Sequence, residues 1–302
     1  MQDTIITLQA GRYRLVQQLA GSAYGIIWRA ESEHGAVALK LINREQMALA
    51  RPELRERWIA SAEREIAFLR SLAPWDGRHI VRLIDSGEHA GLPVIALEML
   101  DQDLGKVVAS RRAIDLPTAL DWLAQLNQAL AKVHQYGWRY LDLKPSNVLF
   151  DQRRGYVKLA DFGTNRRLDD EAPHDYGGTA SWQAPEQFFP DGDSYRTDAR
   201  SDYFSLGALF YYLIMGGKVL RFCQACGDAY RAHRQDGADR LRAHGVPPTL
   251  ADDEAALFAT AAGPQALAML RRLLASDPRQ RPAHALSISR MIADASQLAR
   301  AA

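Results

Sequence analysis

The chain of 302 residues has only two cysteines, Cys223 and Cys226. Two thiols cannot build a disulfide framework, so a small disulfide-stapled scaffold is excluded and a reducing compartment is expected. No run approaches the roughly 18 apolar residues of a membrane span, so no membrane partner is expected. An excess of charge is missing too. The 37 Lys and Arg face 36 Asp and Glu, a net charge of +1, which lacks the basic footprint of a nucleic-acid binder. Lysine is scarce, with six residues against 31 arginines, so each lysine position is informative. The segment from Met1 to Gly11 holds an acid, Asp3, and only a short apolar patch, so no signal peptide is expected there. What is present is ordinary: 47% apolar and 24% charged residues exclude disorder as the dominant state.

The first hundred residues read as short strands around one long helix. Tyr13 to Leu19, Ile26 to Ala30, Ala36 to Ile42, Ile80 to Asp85 and Pro93 to Met99 are the strand candidates. Between them Trp58, Ala62, Glu65, Ile66, Leu69 and Leu72 recur at helical spacing. The remainder reads as helical: a helix from Asp115 or Pro117 to His134, a second at 202–215 that is apolar nearly all round, then 228–242, 253–262, 264–275 and 283–300. The boundary falls near Leu100 to Leu104, and the cleft between two such lobes is the default ligand site.

Four segments carry chemistry. Gly21-Ser22-Ala23-Tyr24-Gly25 is a glycine-containing turn between strands. It reads equally as a hairpin or as a loop laying N–H groups on phosphate. Lys40 lies inside the apolar run Val37 to Leu41, where a buried ammonium needs an anion. Glu65 is the favoured partner, with Leu69 one turn on; Glu63 is the rival, and a lysine snorkelling from an edge strand is the plain alternative. Tyr140-Leu141-Asp142-Leu143-Lys144-Pro145-Ser146-Asn147 packs an acid, an ammonium and an amide among apolar residues. Phosphoryl transfer to a hydroxyl needs those three: a proton acceptor, a charge for phosphate oxygens and an oxygen ligand for a hard cation. Nineteen residues beyond Asp142, an apolar strand ends in Asp161-Phe162-Gly163.

Jointly these segments resemble the signature set of eukaryotic-type serine/threonine protein kinases, including those found in bacteria. The resemblance runs from about Tyr13 to Pro282. It implies an α+β, bilobal protein-kinase fold: a small lobe, residues 1–100, with a five-stranded antiparallel sheet and one helix, and a larger, mostly α-helical lobe, residues 101–302. It implies an enzyme that transfers the γ-phosphoryl group of ATP, with Mg2+ (or Mn2+), to Ser/Thr hydroxyls of protein substrates. The implied roles follow by position. Lys40 contacts the α/β-phosphates and pairs with Glu65. Asp142 takes the hydroxyl proton, and Lys144 touches the γ-phosphate. Asn147 and Asp161 hold the metal. Gly21, Ser22 and Gly25 cover the phosphates, and Ile27, Ala38 and Leu149 sandwich the purine. Backbone at Glu98 and Leu100 reads adenine, and Asp103 the ribose. Outside the nucleotide site, Gly178-Thr179, Ala184-Pro185-Glu186, Asp202 to Gly207 and Arg281 resemble the end of an activation segment, the start of a buried central helix and the ion-pair partner of Glu186. The Thr179 hydroxyl is expected on the catalytic loop.

The chain departs from the family pattern at three places. Ala20 and Ser22 stand where two glycines are expected, Leu141 replaces an arginine and Tyr140 a histidine. In the family that arginine receives a phosphorylated activation-loop residue. Leu141 offers no donor, so activity independent of phosphorylation at Thr164, Tyr176 or Ser181 is expected. Ser22→Gly is expected to preserve or improve ATP handling. A pseudokinase acting as a binding module is the alternative reading, and a small-molecule kinase the third. The Cys223 and Cys226 spacing reads as zinc ligation or, preferably, as two intracellular thiols. A cytoplasmic location is expected, with delivery into another cell left open.

Overall fold

Strict alternation builds the first sheet. In β2 (Arg12–Gly21), paired with β1 (Ile5–Thr7), Tyr13 and Leu15 are buried while Arg12 and Arg14 are exposed. β3 (Gly25–Ser32) and β4 (Gly35–Ile42) follow, joined by a turn in which Gly35 has φ +110°, a value that favours glycine. Val37, Leu39 and Leu41 face one side with Ile6, Trp28 and Val94 and form a core. The period of two sends Ala38 and Lys40 to the other side, where Ile27 sits directly opposite Lys40. α1 (Arg44–Leu49) and α2 (Pro52–Ser71) precede β5 (Leu83–His89) and β6 (Leu92–Glu98). The last two strands are joined through Ala90 and Gly91, both at positive φ, the geometry of a type I′ hairpin. The sheet is antiparallel in the order β1-β2-β3-β4-β6-β5.

The sheet therefore has six strands rather than the expected five, and α1 adds a second helix. Ile5–Thr7 is too short to show a period. It is pinned by neighbours instead: the Asp85 carboxylate accepts the Tyr13 hydroxyl and the Ala10 N–H, each at 2.9 Å. Burial, and then Asp85, pushes the Tyr13 hydroxyl up to about 12. The Tyr13 phenol thus stays neutral and a donor at ordinary pH.

The structure, a computed structural model, describes residues 2–22, 24–111, 113–170, 177–192 and 194–301, the last four by backbone alone. Ala23 and Tyr176 lie outside the described residues. Two compact units divide the chain: residues 1–101 with 160–163, and residues 102–159 with 164–302.

The second unit is mostly helical. β7 (Gln102–Asp103) leads into α3 (Leu104–Arg111) and α4 (Leu116–Gln135), whose N-terminus is capped by Asp115 accepting the Thr118 N–H. β8 (Trp138–Arg139), β9 (Val148–Asp151), β10 (Tyr156–Leu159) and β11 (Arg166–Arg167) form two small antiparallel sheets, β10-β9-β7 and β11-β8. Strands of two to four residues carry no readable alternation, so of these the sequence shows only the apolar run before Asp161, which is β10. After α5 (Pro185–Phe188), α6 (Ala199–Ile214) is buried along nearly its whole length. The expected helix over 228–242 is two helices, α7 (Arg221–His233) and α8 (Gly237–His244). α9 (Asp252–Leu273) is broken at Gly263, φ +83°, just before Pro264, as the two expected helices require. α10 (Ala285–Ala301) closes the chain, and no helix among the described residues is long and apolar enough to cross a membrane.

An ion pair ties the middle of this unit to its end. Arg281, 2% exposed, clasps Glu186 bidentately at 2.6 and 2.9 Å. It also donates to the carbonyls of Ala275, Arg200 and Ser276 and lies over the Phe204 ring. Arg281→Ala leaves a largely buried carboxylate without its partner and is expected to cost about 3–5 kcal/mol. Arg281→Lys recovers little, because an ammonium cannot form the fork. Urea unfolding followed by circular dichroism measures both; a loss below 1 kcal/mol in Arg281→Ala contradicts the assignment.

Candidate active site

β4 lies between β3 and β6, so Lys40 occupies a central strand and not an edge. Its Nζ donates to Glu65 Oε2 at 2.6 Å and to Asp161 Oδ1 at 2.7 Å. Glu65 is fully buried on α2, whereas the rival Glu63 is exposed. Burial alone would lower the Lys40 ammonium, but the Asp161 and Glu65 carboxylates outweigh it and hold it above the ordinary lysine value. Burial pushes the Glu65 carboxyl up, against the pull of Lys40. With both carboxylates ionised, the trio carries one negative charge in excess, and Asp161 is 46% exposed. That half-open carboxylate fits a hard divalent cation such as Mg2+ or Mn2+.

The turn that presents Asp161 is held from α2. Asp161 sits at φ +60°, a conformation aspartate tolerates better than most residues. The Gly163 carbonyl accepts from Ser61 Oγ at 2.9 Å and from Arg64 at 3.1 Å. The Phe162 ring lies 4.6 Å from that of Phe68. A Cβ on Gly163 would stand 2.3 Å from Ser61 Oγ, so any larger residue there must turn the Ser61 hydroxyl away from the Gly163 carbonyl.

The glycine-containing turn is closed on itself. Ser22 Oγ accepts the Tyr24 and Gly25 N–H groups, both at 3.2 Å, and the Ser22 N–H donates to Gly25 O at 2.8 Å. Asn43 Nδ2 donates to Ser22 O at 3.0 Å. The sequence reading missed this side-chain role; Ser followed by turn residues was its signal. Ile27 and Ala38 share the Lys40 face, and the Glu98 N–H is already given to Arg82 O. Leu100 is half-buried after β6.

In the second unit the loop of residues 140–147 converges on Asp142. Its Oδ1 accepts Thr179 Oγ1 at 2.8 Å, and its Oδ2 accepts Lys144 Nζ at 2.8 Å and Asn147 Nδ2 at 2.9 Å. Lys144 also donates to Thr179 Oγ1 at 2.7 Å, so the expected contact of Thr179 with the loop is present. Asn147 spends its amide nitrogen on Asp142, and its side-chain oxygen is the atom of the kind a hard cation takes. Asp103 and Leu149 face each other across β7 and β9. Asp103 also caps α3 by accepting the Lys106 N–H at 3.0 Å, a structural duty alongside any contact with a ligand.

The loop's shape comes from residues whose roles the sequence did not disclose. Asp202, fully buried, accepts the Tyr140 N–H at 2.9 Å, the Leu141 N–H at 2.7 Å and a contact from His134 Nε2 at 2.8 Å. Gln187 donates to Leu141 O. A Cβ on Gly178, at φ +95°, would lie 2.8 Å from that same carbonyl. Cys223 and Cys226 are both buried on α7, and burial pushes both thiols up. No group of three or more His, Cys, Asp or Glu that could hold a metal is present among the described residues, so the zinc reading has no site to rest on.

The chain matches the protein kinase domain model over residues 13–293. It is 29% identical over 225 residues to a serine/threonine-protein kinase of Myxococcus xanthus, covering 71% of this chain and 30% of that one. It is 27% identical over 212 residues to a probable serine/threonine-protein kinase of Bifidobacterium longum, covering 68% and 27%. It is 33% identical over 203 residues to a serine/threonine-protein kinase of Mycobacterium tuberculosis, covering 65% and 48%. The chain thus spans from about a quarter to about half of these relatives' length.

The Gly163 contact predicts a coupling. Gly163→Ala forces Ser61 aside and is expected to cost about 1–3 kcal/mol. Ser61→Ala loses one hydrogen bond, about 1 kcal/mol. Because the second change removes the atom that the first collides with, the double variant is expected to cost less than the sum. Thermal unfolding of the four proteins measures this; simple additivity contradicts the close approach.

Proposed function

The chain belongs to the protein kinase domain family, and on that premise we propose that it transfers the γ-phosphoryl group of ATP to serine and threonine hydroxyls of protein substrates. The observation that carries the proposal is the cluster in which Asp142, Lys144, Asn147 and Thr179 hydrogen-bond one another. Asp142 orients the substrate hydroxyl and takes its proton as the new O–P bond forms and the bond from the γ-phosphorus to ADP breaks. Lys144 offsets negative charge on the transferred group. Lys40, fixed by Glu65, is aimed at the α/β-phosphates. Asp161 and Asn147 are assigned to Mg2+, each offering a side-chain oxygen of the kind a hard cation takes. When bound, that ion neutralises charge on phosphate oxygens. Ile27, Ala38 and Leu149 are assigned to the purine, Glu98 and Leu100 to its edge, and Asp103 to the ribose.

The pseudokinase reading loses ground because none of Lys40, Glu65, Asp142, Asn147 and Asp161 is replaced. The near-neutral charge supports a protein rather than a nucleic acid as partner, and the two free thiols suit a reducing compartment.

The test is incubation with γ-labelled ATP, Mg2+ and a generic acceptor protein, followed by phosphoamino-acid analysis. Label on Ser and Thr is expected. Asp142→Asn is expected to keep the fold and nucleotide binding while losing about 10²–10⁴ in rate. Wild-type turnover by that variant contradicts the assignment.

The closed turn at Ser22 yields a second expectation. In Ser22→Gly the Tyr24 and Gly25 N–H groups lose a neutral acceptor. A neutral hydrogen bond is worth about 1 kcal/mol and one to a charged phosphate about 1.5–3 kcal/mol. The wild type must give up the first to gain the second, and the variant need not. The KM for ATP in Ser22→Gly is therefore expected to fall by about fivefold. A rise would mean that the preformed turn itself is what the nucleotide uses.

A further inference from the structure

The two-stranded ladder of β8 and β11 sets Arg139 directly opposite Arg166, and like charges placed so repel each other. Arg139 is also only 3% exposed, a depth at which an unpaired guanidinium is costly. Burial, and then Arg166, lowers its affinity for a proton below the arginine norm, with Asp170, Asp202 and Asp198 opposing. The Nε atoms of both arginines are buried without a partner. The hydrogen bonds described for both guanidiniums converge on one residue. Arg139 donates to the Asp170 backbone carbonyl at 2.9 Å, and Arg166 to the Asp170 carboxylate at 2.5 Å. Leu168 N–H to Gly137 O and Asp170 N–H to Arg167 O complete the closure.

Arg139 immediately precedes Tyr140 and Leu141, and it lies three residues before Asp142. Whatever fixes β8 therefore fixes one end of the catalytic loop. We propose that Asp170 is a positioning residue: a built-in counter-ion for Arg139 and Arg166 that locks β8 to β11 and so holds the loop carrying Asp142. Its carboxylate occupies the electrostatic role that an added phosphate serves where an arginine stands at the Leu141 position. The enzyme then needs no phosphorylation to order this region. The proposal rests on the kinase reading for its consequence in catalysis, but the clamp itself can be observed without turnover.

The experiment compares wild type, Asp170→Asn, Asp170→Glu, Arg166→Gln and the double variant Arg166→Gln/Asp170→Asn. Asp170→Asn keeps the backbone carbonyl that Arg139 uses and removes only the charge. Its kcat is expected to fall about tenfold with the KM for ATP changed less than twofold. Asp170→Glu is expected to retain most of the rate. Adding Arg166→Gln to Asp170→Asn is expected to recover rate, since the repulsion that Asp170 balanced is then gone. Hydrogen exchange gives the readout independent of activity. Peptides containing the Leu168 amide are expected to lose protection in Asp170→Asn, and to lose it equally when Asp142→Asn is also present.

Unchanged protection in Asp170→Asn overturns the clamp. Lost protection with undiminished kcat overturns the positioning role. Wild type silenced by phosphatase treatment overturns the built-in counter-ion. A wild type that transfers no phosphate sinks the kinase reading instead, and exchange at Leu168 then decides the clamp by itself.

Discussion

Asp202 is fully buried at the start of α6, and the shape of the loop that carries Asp142 depends on how its charge is met. An isolated carboxylate at that depth is not tolerated, whereas one that accepts several hydrogen bonds is. Its partners are the consecutive N–H groups of Tyr140 and Leu141, together with His134. Satisfying both N–H groups from one carboxylate bends the chain, and Leu141 takes φ +67°. For a leucine that conformation costs about 1–2 kcal/mol. The cost is met because releasing it would strand a buried anion, and the Gln187 side chain donates to the Leu141 carbonyl. Asp142 is thus aimed by a residue sixty positions away, which makes α6 the foundation of the site as well as the centre of the core.

The two units neutralise their own charges differently. Around Asp142 one carboxylate meets one ammonium, and an amide and a hydroxyl complete the set. Around Lys40 one ammonium meets two carboxylates. The first arrangement is balanced and can receive a neutral hydroxyl without rearranging charge. The second has anionic excess and suits a cation accompanying a polyanion. This difference follows from side chains alone, and it matches the division of labour that phosphoryl transfer requires.

How much of this was legible in the sequence depended on residue type and span. Lys40 with Glu65 could be paired because a lysine in an apolar strand demands an anion, and helical spacing singled out a core-facing one. The break at Gly263-Pro264 was legible because both residues oppose helix in ways specific to the backbone. The sixth strand, Ile5–Thr7, was not: three residues show no period, and its anchor, Asp85, acts from about eighty residues further along. Ser22 read as an impaired glycine because the backbone rule was applied without asking what a hydroxyl adds. The Arg139, Arg166 and Asp170 set was invisible for a stronger reason: two-residue strands create it, and only their register brings two arginines face to face.

At two of the six lysines the choice of an ammonium has a physical reading. Lys40 and Lys144 each place one nitrogen within 2.8 Å of two acceptors from different parts of the chain: Glu65 and Asp161 for the first, Asp142 and Thr179 for the second. A single tetrahedral nitrogen can bridge such divergent acceptors. A guanidinium presents its donors in one plane and matches a single carboxylate edge-on, as Arg281 does with Glu186. At Lys40 and Lys144 one atom serves two partners, whereas at Glu186 two atoms of the Arg281 fork serve one.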